Sequence, residues 1–452
     1  MNILHFSLGL PPYRSGGLTK YATDLIVAQQ AAGYNVSLLY PGDFTFWKSA
    51  KMYIDGAVDF NGVQTFEIKN PSLVPLLHGV RNPSDVYNYP SLEESIMLNF
   101  YEKLKPDIFH VHTLMGMPSS LLEYFKKNGV KIIFTTHDYF GLCAKANFIN
   151  QDNVLCKGAE PQLCALCNNN AESTLFLKLR NSKYILRYKN ALNPKIKQKK
   201  RQKVLQTNHT HFEEERINKY EKLLNYYINI FNRFDTIHFN SRVTEQVYRQ
   251  YLQIDHSMVI PISHSGISDN RQLKTFDKNK IRLTFIGSTD IYKGFSELKE
   301  ALINLLREGV RNWELNVFGG AVATDPDSNK INYKGRYKDE ELISIFSATD
   351  MLIVPSVWKE TFSFITLEAL SFAVPVLVTE SVGAKDIVKK YMPDFVIPTG
   401  KEALFTKLKK VLAADDDSLL KFNQSIFTSD FRYGMDEHLK RIDDLYKEAI
   451  KS

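Results

Sequence analysis

The sequence predicts an α/β protein made of two doubly wound, parallel-sheet domains that face a central cleft. Three observations lead there. Short apolar strands alternate with helical patterns through the first 140 residues, the alternation restarts near residue 275 after a polar stretch, and 452 residues suit two large domains.

The elements follow in order. "NILHF" is a short apolar strand, and "PPYRSGG" is a loop rich in turn formers. "LTKYATDLIVAQQAA" carries apolar residues at helical spacing, Gly33 suits a helix C-cap, and "NVSLLY" is the next strand. "PDIFHVH" and "KIIFTTH" are buried strands flanking the helix "SSLLEYFKKNG". Residues 171–235 read as a charged helical segment. After "SGISDNRQLKTFDKNK", the strands "IRLTFIGS", "ELNVFGG", "MLIVPS" and "VPVLVTE" mark a second domain over 275–430, against 1–274 for the first. "MDEHLKRIDDLYKEAIKS" is an amphipathic helix, and residues 431–452 are expected to pack back on the first domain.

A hydrophobic content of 44% excludes a disordered chain. The start "MNILHFSLGLPPYRSGG" lacks a basic n-region, and no apolar run nears the roughly 18–20 residues needed to span a bilayer. A cytoplasmic protein is expected, either soluble or peripheral on the inner face of the cell membrane.

Chemistry concentrates in "KETFSFITLEAL", residues 359–370, where Glu360 and Glu368 stand either side of an apolar, hydroxylic stretch. "MLIVPS" is a strand, so "VWKET" is the loop at its C-terminal end, and a helix is expected to start near Thr361–Ser363. Helix N-termini at strand ends offer free N–H groups and partial positive charge, which suits a diphosphate. Glu368 then lies roughly 7–8 Å along that helix at about 1.5 Å per residue. Carboxylates repel phosphate but accept hydrogen bonds from sugar hydroxyls. One hydroxylated ring on each side of a diphosphate describes a nucleotide-diphosphate sugar. A helix-dipole charge plus a solvated glutamate gives the same spacing.

Other candidates surround this block. "FIGSTDIYKG" places Gly287 after a strand and Lys293 before a helix, which suits close approach to a phosphate and its neutralisation. Ser15-Gly16-Gly17 opens the first helix, and an ordinary tight turn would read alike. His137 ends a strand and so faces the cleft. His110 and His112 share one strand face, but a metal pair there has no evident third ligand. Cys143, Cys156, Cys164 and Cys167 follow a C-x12-C-x7-C-x2-C spacing. Four thiolates close a tetrahedral zinc site, and the core-poor segment between them would gain from such a staple. An iron–sulfur cluster, disulfides or four buried thiols are the alternatives. From Lys178 to Lys203 the chain carries eleven Lys and Arg and no Asp or Glu, laced with aromatics. Residues 175–203 could be a solvated face, an RNA-binding patch or a contact with an anionic membrane.

Together, "PPYRSGG", "FHVH", "FTTHDYF", "FIGSTDIYKG" and "VPSVWKETFSFITLEALSFAVPVLVTESVG" resemble the retaining glycosyltransferases of family 4, which have the two-domain GT-B fold. The resemblance implies roles position by position. Glu360 would hold donor-sugar hydroxyls and Glu368 the ribose. Amides near Phe362, Ser363 and Phe364 would cradle the diphosphate with Lys293. Gly16 and Gly17 would approach the phosphates from across the cleft, and His137 would touch the transferred sugar. The cysteine insertion also recurs in such proteins. Two departures stand out. Ser288 replaces the arginine usual after the glycine that Gly287 matches. Ser363 replaces a common glycine, at an expected small cost.

The function expected is sugar transfer from a nucleotide-diphosphate donor to a glycan or lipid-linked acceptor hydroxyl. Retention is implied, no catalytic metal is expected, and the setting is cell-surface polysaccharide or glycolipid synthesis. A sugar-nucleotide epimerase of similar architecture is the alternative within the fold. A zinc-containing nucleic-acid-binding protein is the alternative outside it, and nucleic acid is not an expected partner.

Overall fold

The computed structural model describes residues 1–45, 51–182, 185, 214–325 and 327–451. Most of the basic stretch 175–203 therefore lies outside the described residues.

The first sheet contains β1 (Asn2–Phe6), β2 (Asn35–Pro41), β3 (Tyr53–Gly56), β4 (Gln64–Lys69), β5 (Ile108–Val111), β6 (Lys131–Thr136), β7 (Thr236–Phe239) and β8 (Ser257–Val259). Their order is β3-β4-β2-β1-β5-β6-β7-β8. The second contains β9 (Ile281–Ile286), β10 (Trp313–Phe318), β11 (Ala323–Thr324), β12 (Ile331–Gly335), β13 (Met351–Val354), β14 (Val376–Thr379) and β15 (Val396–Ile397), ordered β11-β12-β10-β9-β13-β14-β15. Among the described residues, only the β3–β4 and β11–β12 strand pairs, at the sheet edges, are antiparallel. Apart from those edges, both sheets follow the doubly wound order in which the chain reverses direction beside its first strand. The reversals fall between β1 and β5 and between β9 and β13, so loops after these strands diverge and open a crevice.

The central strands β5, β13 and β14 are buried along their whole length, as a sheet covered on both faces requires. Trp313, Leu283, Leu298 and Phe346 fill the second core. Phe109, Phe125, Phe134 and Phe231 fill the first, with edge-to-face ring contacts. The C-terminal helix Met435–Lys451 lies on the first helix, Gly17–Ala31. Tyr34 donates to Asp443 at 2.8 Å, and the Tyr21 hydroxyl and His438 Nε2 are 2.9 Å apart.

Two glycines hold the second domain's loops together. A side chain at Gly294, where φ is 73°, would strike the Pro355 carbonyl at 1.9 Å. One at Gly383 would strike the Thr361 carbonyl at 2.1 Å. Only glycine lets these backbones approach so closely.

Candidate functional site

The loops after β9 and β13 meet the loops after β1 and β6 around a cleft of about 330 Å³. Gly17, His137, Lys293, Glu360, Phe362, Ser363 and Phe364 line it together. Glu368 stands beside it in the helix Phe364–Leu370. Gly16 precedes Gly17 with φ at 113°, a left-handed value that suits glycine. At Gly17 the helix itself begins, and an added Cβ would touch the Phe364 ring at 3.4 Å. The two domains therefore pinch together where the first helix faces the loop before the short helix.

Lys293 ends a 3-10 turn whose reversal Gly294 permits. Its ammonium bonds Glu360 at 2.7 Å and sits 5.3 Å from the Trp358 ring centre. The Ser356 hydroxyl donates to the other Glu360 oxygen at 2.7 Å. Glu360 is pinned further by its amide, which donates to the Ser381 carbonyl at 2.9 Å. A cation, a carboxylate and a hydroxyl are thus preset at the mouth of the helix. The amides of Ser363 and Phe364 donate to no main-chain group among the described residues. They are the hydrogen-bond donors that an anion in the cleft could use.

The helix begins at Phe364, later than Thr361–Ser363, because Ser363 takes φ 101° and ψ 86°. That conformation favours glycine. The serine leaves its amide without a main-chain acceptor among the described residues, and its φ adds backbone strain on the order of 1–2 kcal/mol. Its hydroxyl lies 3.0 Å from that of Thr366. Ser288 is exposed and donates to the Asp290 carboxylate, so it closes its own turn and does not line the cleft. Gly287 follows β9 directly, with its amide donating to the Phe318 carbonyl at 2.9 Å.

Several partners escape sequence reading. His264, 1% exposed, donates from Nε2 to Glu368 at 2.8 Å while its Nδ1 accepts the Gly266 amide at 3.1 Å. Glu368 is thereby oriented, and Tyr337 lies near enough for that carboxylate to add to burial in pushing its hydroxyl up to about 12. Thr361 donates to the His137 carbonyl at 3.0 Å, and Ser241 donates to the Thr361 carbonyl at 2.6 Å. These bonds join the two domains at the cleft. Ser356, Trp358 and Thr361 lie within the motif block itself, whereas nothing near His264 in sequence marks it.

Away from the cleft, Cys143, Cys156, Cys164 and Cys167 are half-buried and unpaired. Cys164 and Cys167 project from the helix Pro161–Cys167 at a spacing of three. Burial pushes the Cys164 thiol up to about 12, and the other three cysteines add to it, so the four sulfurs are electrostatic neighbours. His110 and His112 do acquire a third neighbour, His5, and the ligand atoms of the three lie within 4.8 Å of one another. No helix of the described residues is long and apolar enough to cross a membrane.

Comparison with known proteins agrees with this geometry. Residues 15–164 match the family model "Glycosyltransferase Family 4", and residues 267–425 match "Glycosyl transferases group 1". An uncharacterized 41.2 kDa protein in the cps region of Klebsiella pneumoniae is 26% identical over 149 residues, 32% of this chain and 38% of that protein. Among solved structures, sucrose-phosphate synthase from Thermosynechococcus elongatus superposes with a TM-score of 0.57 at 14% identity over 99% of both chains. HepE from Anabaena, in complex with UDP and glucose, gives 0.56 at 12% identity, again over 99% of both. At such identity these structures share the fold.

Proposed function

The chain belongs to the family 4 glycosyltransferases of GT-B fold, and from that premise we propose that it moves a sugar from a nucleotide-diphosphate donor to an acceptor hydroxyl with retention of configuration. The observation that carries this reading is the Lys293–Glu360–Ser356 set beside the free amides of Ser363 and Phe364.

Cleavage of the sugar–phosphate bond leaves negative charge on the departing diphosphate. Lys293 and the amides stand where that charge develops, so they stabilise the transition state with little reorganisation. Lys293 bonds Glu360 at 2.7 Å. An arriving phosphate draws the ammonium over and frees Glu360 to accept hydroxyl hydrogens from the donor sugar. Glu368, oriented by His264, accepts from the ribose. The pinch at Gly17 and Phe364 keeps water from the reacting bond. The neutral imidazole of His137 faces the transferred sugar; burial lowers its pKa to about 3. The acceptor hydroxyl attacks from the leaving-group face, and a phosphate oxygen takes its proton, so Lys293 and the amides serve in place of a catalytic metal.

Product configuration tests the central step. Proton spectra of freshly formed glycoside are expected to show the donor's anomeric configuration. An inverted product would remove the proposal of retention.

The four cysteines would hold a structural zinc, whose chemistry is that of a closed tetrahedral staple for the 143–167 insertion. Elemental analysis is expected to find one zinc per chain, lost in Cys164→Ser; a metal-free, equally stable protein contradicts this. The basic stretch 175–203 would hold the enzyme on the cytoplasmic face of an anionic membrane, near lipid-linked acceptors of polysaccharide or glycolipid synthesis. Neutralising its lysines is expected to abolish liposome binding, and unchanged binding would reject the membrane role.

A further inference from the structure

Behind His137 lies an assembly that the transfer chemistry leaves unexplained. His5 on β1 pairs in register with His110 on β5, and period-two alternation puts His112 on the same face. His238 on β7 pairs with Thr135 on β6. His5, His110, His112 and His238 are at most 1% exposed. Eight hydrogen bonds string them together with Gln29 of the first helix and Tyr446 of the C-terminal helix.

Their direction can be worked out from one end. The Ile260 carbonyl can only accept, so His238 donates from Nε2 at 2.8 Å. His238 Nδ1 then accepts from the Thr135 hydroxyl at 2.9 Å. That hydroxyl has spent its proton and accepts from His110 Nε2 at 2.6 Å. His110 Nδ1 accepts from Tyr446 at 2.7 Å. Tyr446 in turn accepts from the Gln29 amide nitrogen at 3.1 Å, which turns the Gln29 oxygen to His5 Nε2 at 2.7 Å. His5 Nδ1 accepts from His112 Nε2 at 2.9 Å, and His112 Nδ1 accepts from His137 Nε2 at 3.3 Å. Each group between the Ile260 carbonyl and His137 both donates and accepts, and no carboxylate takes part. The ring nitrogens of His5, His110 and His112 are all occupied, so these bonds satisfy the trio without a metal ion. Burial keeps the rings neutral, with His5 and His238 lowered to about 4.

We propose that this directed chain locks His137 as its Nε2–H tautomer, leaving Nδ1 as an acceptor in the cleft that selects a hydroxyl, not a carboxylate, at the facing position of the transferred sugar. The lock stands on the hydrogen bonds alone; the selection rests on the transferase reading above. Tyr446 is the positioning residue. Without its hydroxyl, Ile260 still directs His238, Thr135 and His110. Gln29 is then free to turn its amide, and His5, His112 and His137 can reverse together.

Two-bond proton–nitrogen spectra of the ligand-free, histidine-labelled protein near pH 7.5 read the tautomers directly. All five rings are expected as Nε2–H in a single state. Tyr446→Phe is expected to add a second, Nδ1–H form of His137 while His110 and His238 keep theirs. A Nδ1–H or mixed His137 in the unsubstituted protein overturns the lock, and so does a stoichiometric metal bound by His5, His110 and His112. An unchanged His137 in Tyr446→Phe overturns the role of Tyr446; should that variant fail to fold, Gln29→Leu cuts the same chain one link on. For selection, turnover of a neutral donor sugar is expected to exceed that of its uronate counterpart by at least about tenfold. Equal turnover overturns selection. No turnover of either sugar, with the lock in place, counts against the transferase reading and not against the lock.

Discussion

The cleft and the histidine chain behind it solve opposite electrostatic problems a few ångströms apart. The cleft keeps charges, pairing Lys293 with Glu360 at 2.7 Å where a diphosphate can displace the bond. The chain admits no charge and satisfies every ring by neutral hydrogen bonds in the depth of a sheet. A site that must bind an ion stays polar and accessible, whereas the scaffold aiming its side chains is dry and directional. Loss of charge should therefore damage the first region, and gain of charge the second.

The sharpest break would come in the cleft. Lys293→Ala is expected to lower kcat/KM by about 10²–10³-fold, on the order of 3–4 kcal/mol of transition-state stabilisation. Its melting temperature should change little, because the Lys293–Glu360 pair is partly exposed. Steady-state kinetics and calorimetry on the same preparation check both halves.

The scaffold should break on acidification. His5 and His238 are lowered to about 4 and His137 to about 3, below the 6.5 of an unfolded chain. As pH falls below about 6.5 the unfolded chain binds protons first, so stability is full above that pH and declines towards about 4. Asp138, raised to about 6 by burial, acts oppositely between about 6 and 3.8 and offsets one histidine. His110, His112 and His438 are lowered by burial as well, so the histidines outnumber the single opposing carboxyl and the net effect of acidification is a steep loss of stability. Denaturant titrations at pH 7, 6 and 5 measure it, and a flat profile would show that the rings are not held neutral.

What the sequence revealed follows the same division. The strands around Lys293 and Glu360 are long enough to show apolar runs, and the cleft residues between Ser356 and Glu368 are contiguous. The strands β8 and β15 hold three and two residues, too few for periodicity to register. The histidine chain joins His5 to Tyr446 across nearly the whole sequence, and only topology brings such residues together. His264 is hidden for the same reason, since its partner Glu368 is 104 positions away. The strain at Ser363 was not legible because φ belongs to the backbone that neighbouring loops impose.

The smallest effect sharpens that last point. Ser363→Gly is expected to stabilise the fold by about 1 kcal/mol, the relief of strain less the greater freedom of an unfolded glycine. Thermal unfolding would detect it, and destabilisation would mean that the serine hydroxyl beside Thr366 outweighs the strain.

Binding of nucleoside diphosphates to the unsubstituted protein, Lys293→Ala and Glu368→Ala, followed by melting temperature, tests the placement of the donor most directly. One member of a uridine, adenosine and guanosine diphosphate panel is expected to raise the melting point of the unsubstituted chain, with the rise largely lost in both variants. An equal rise in all three proteins would put the nucleotide elsewhere and contradict the account.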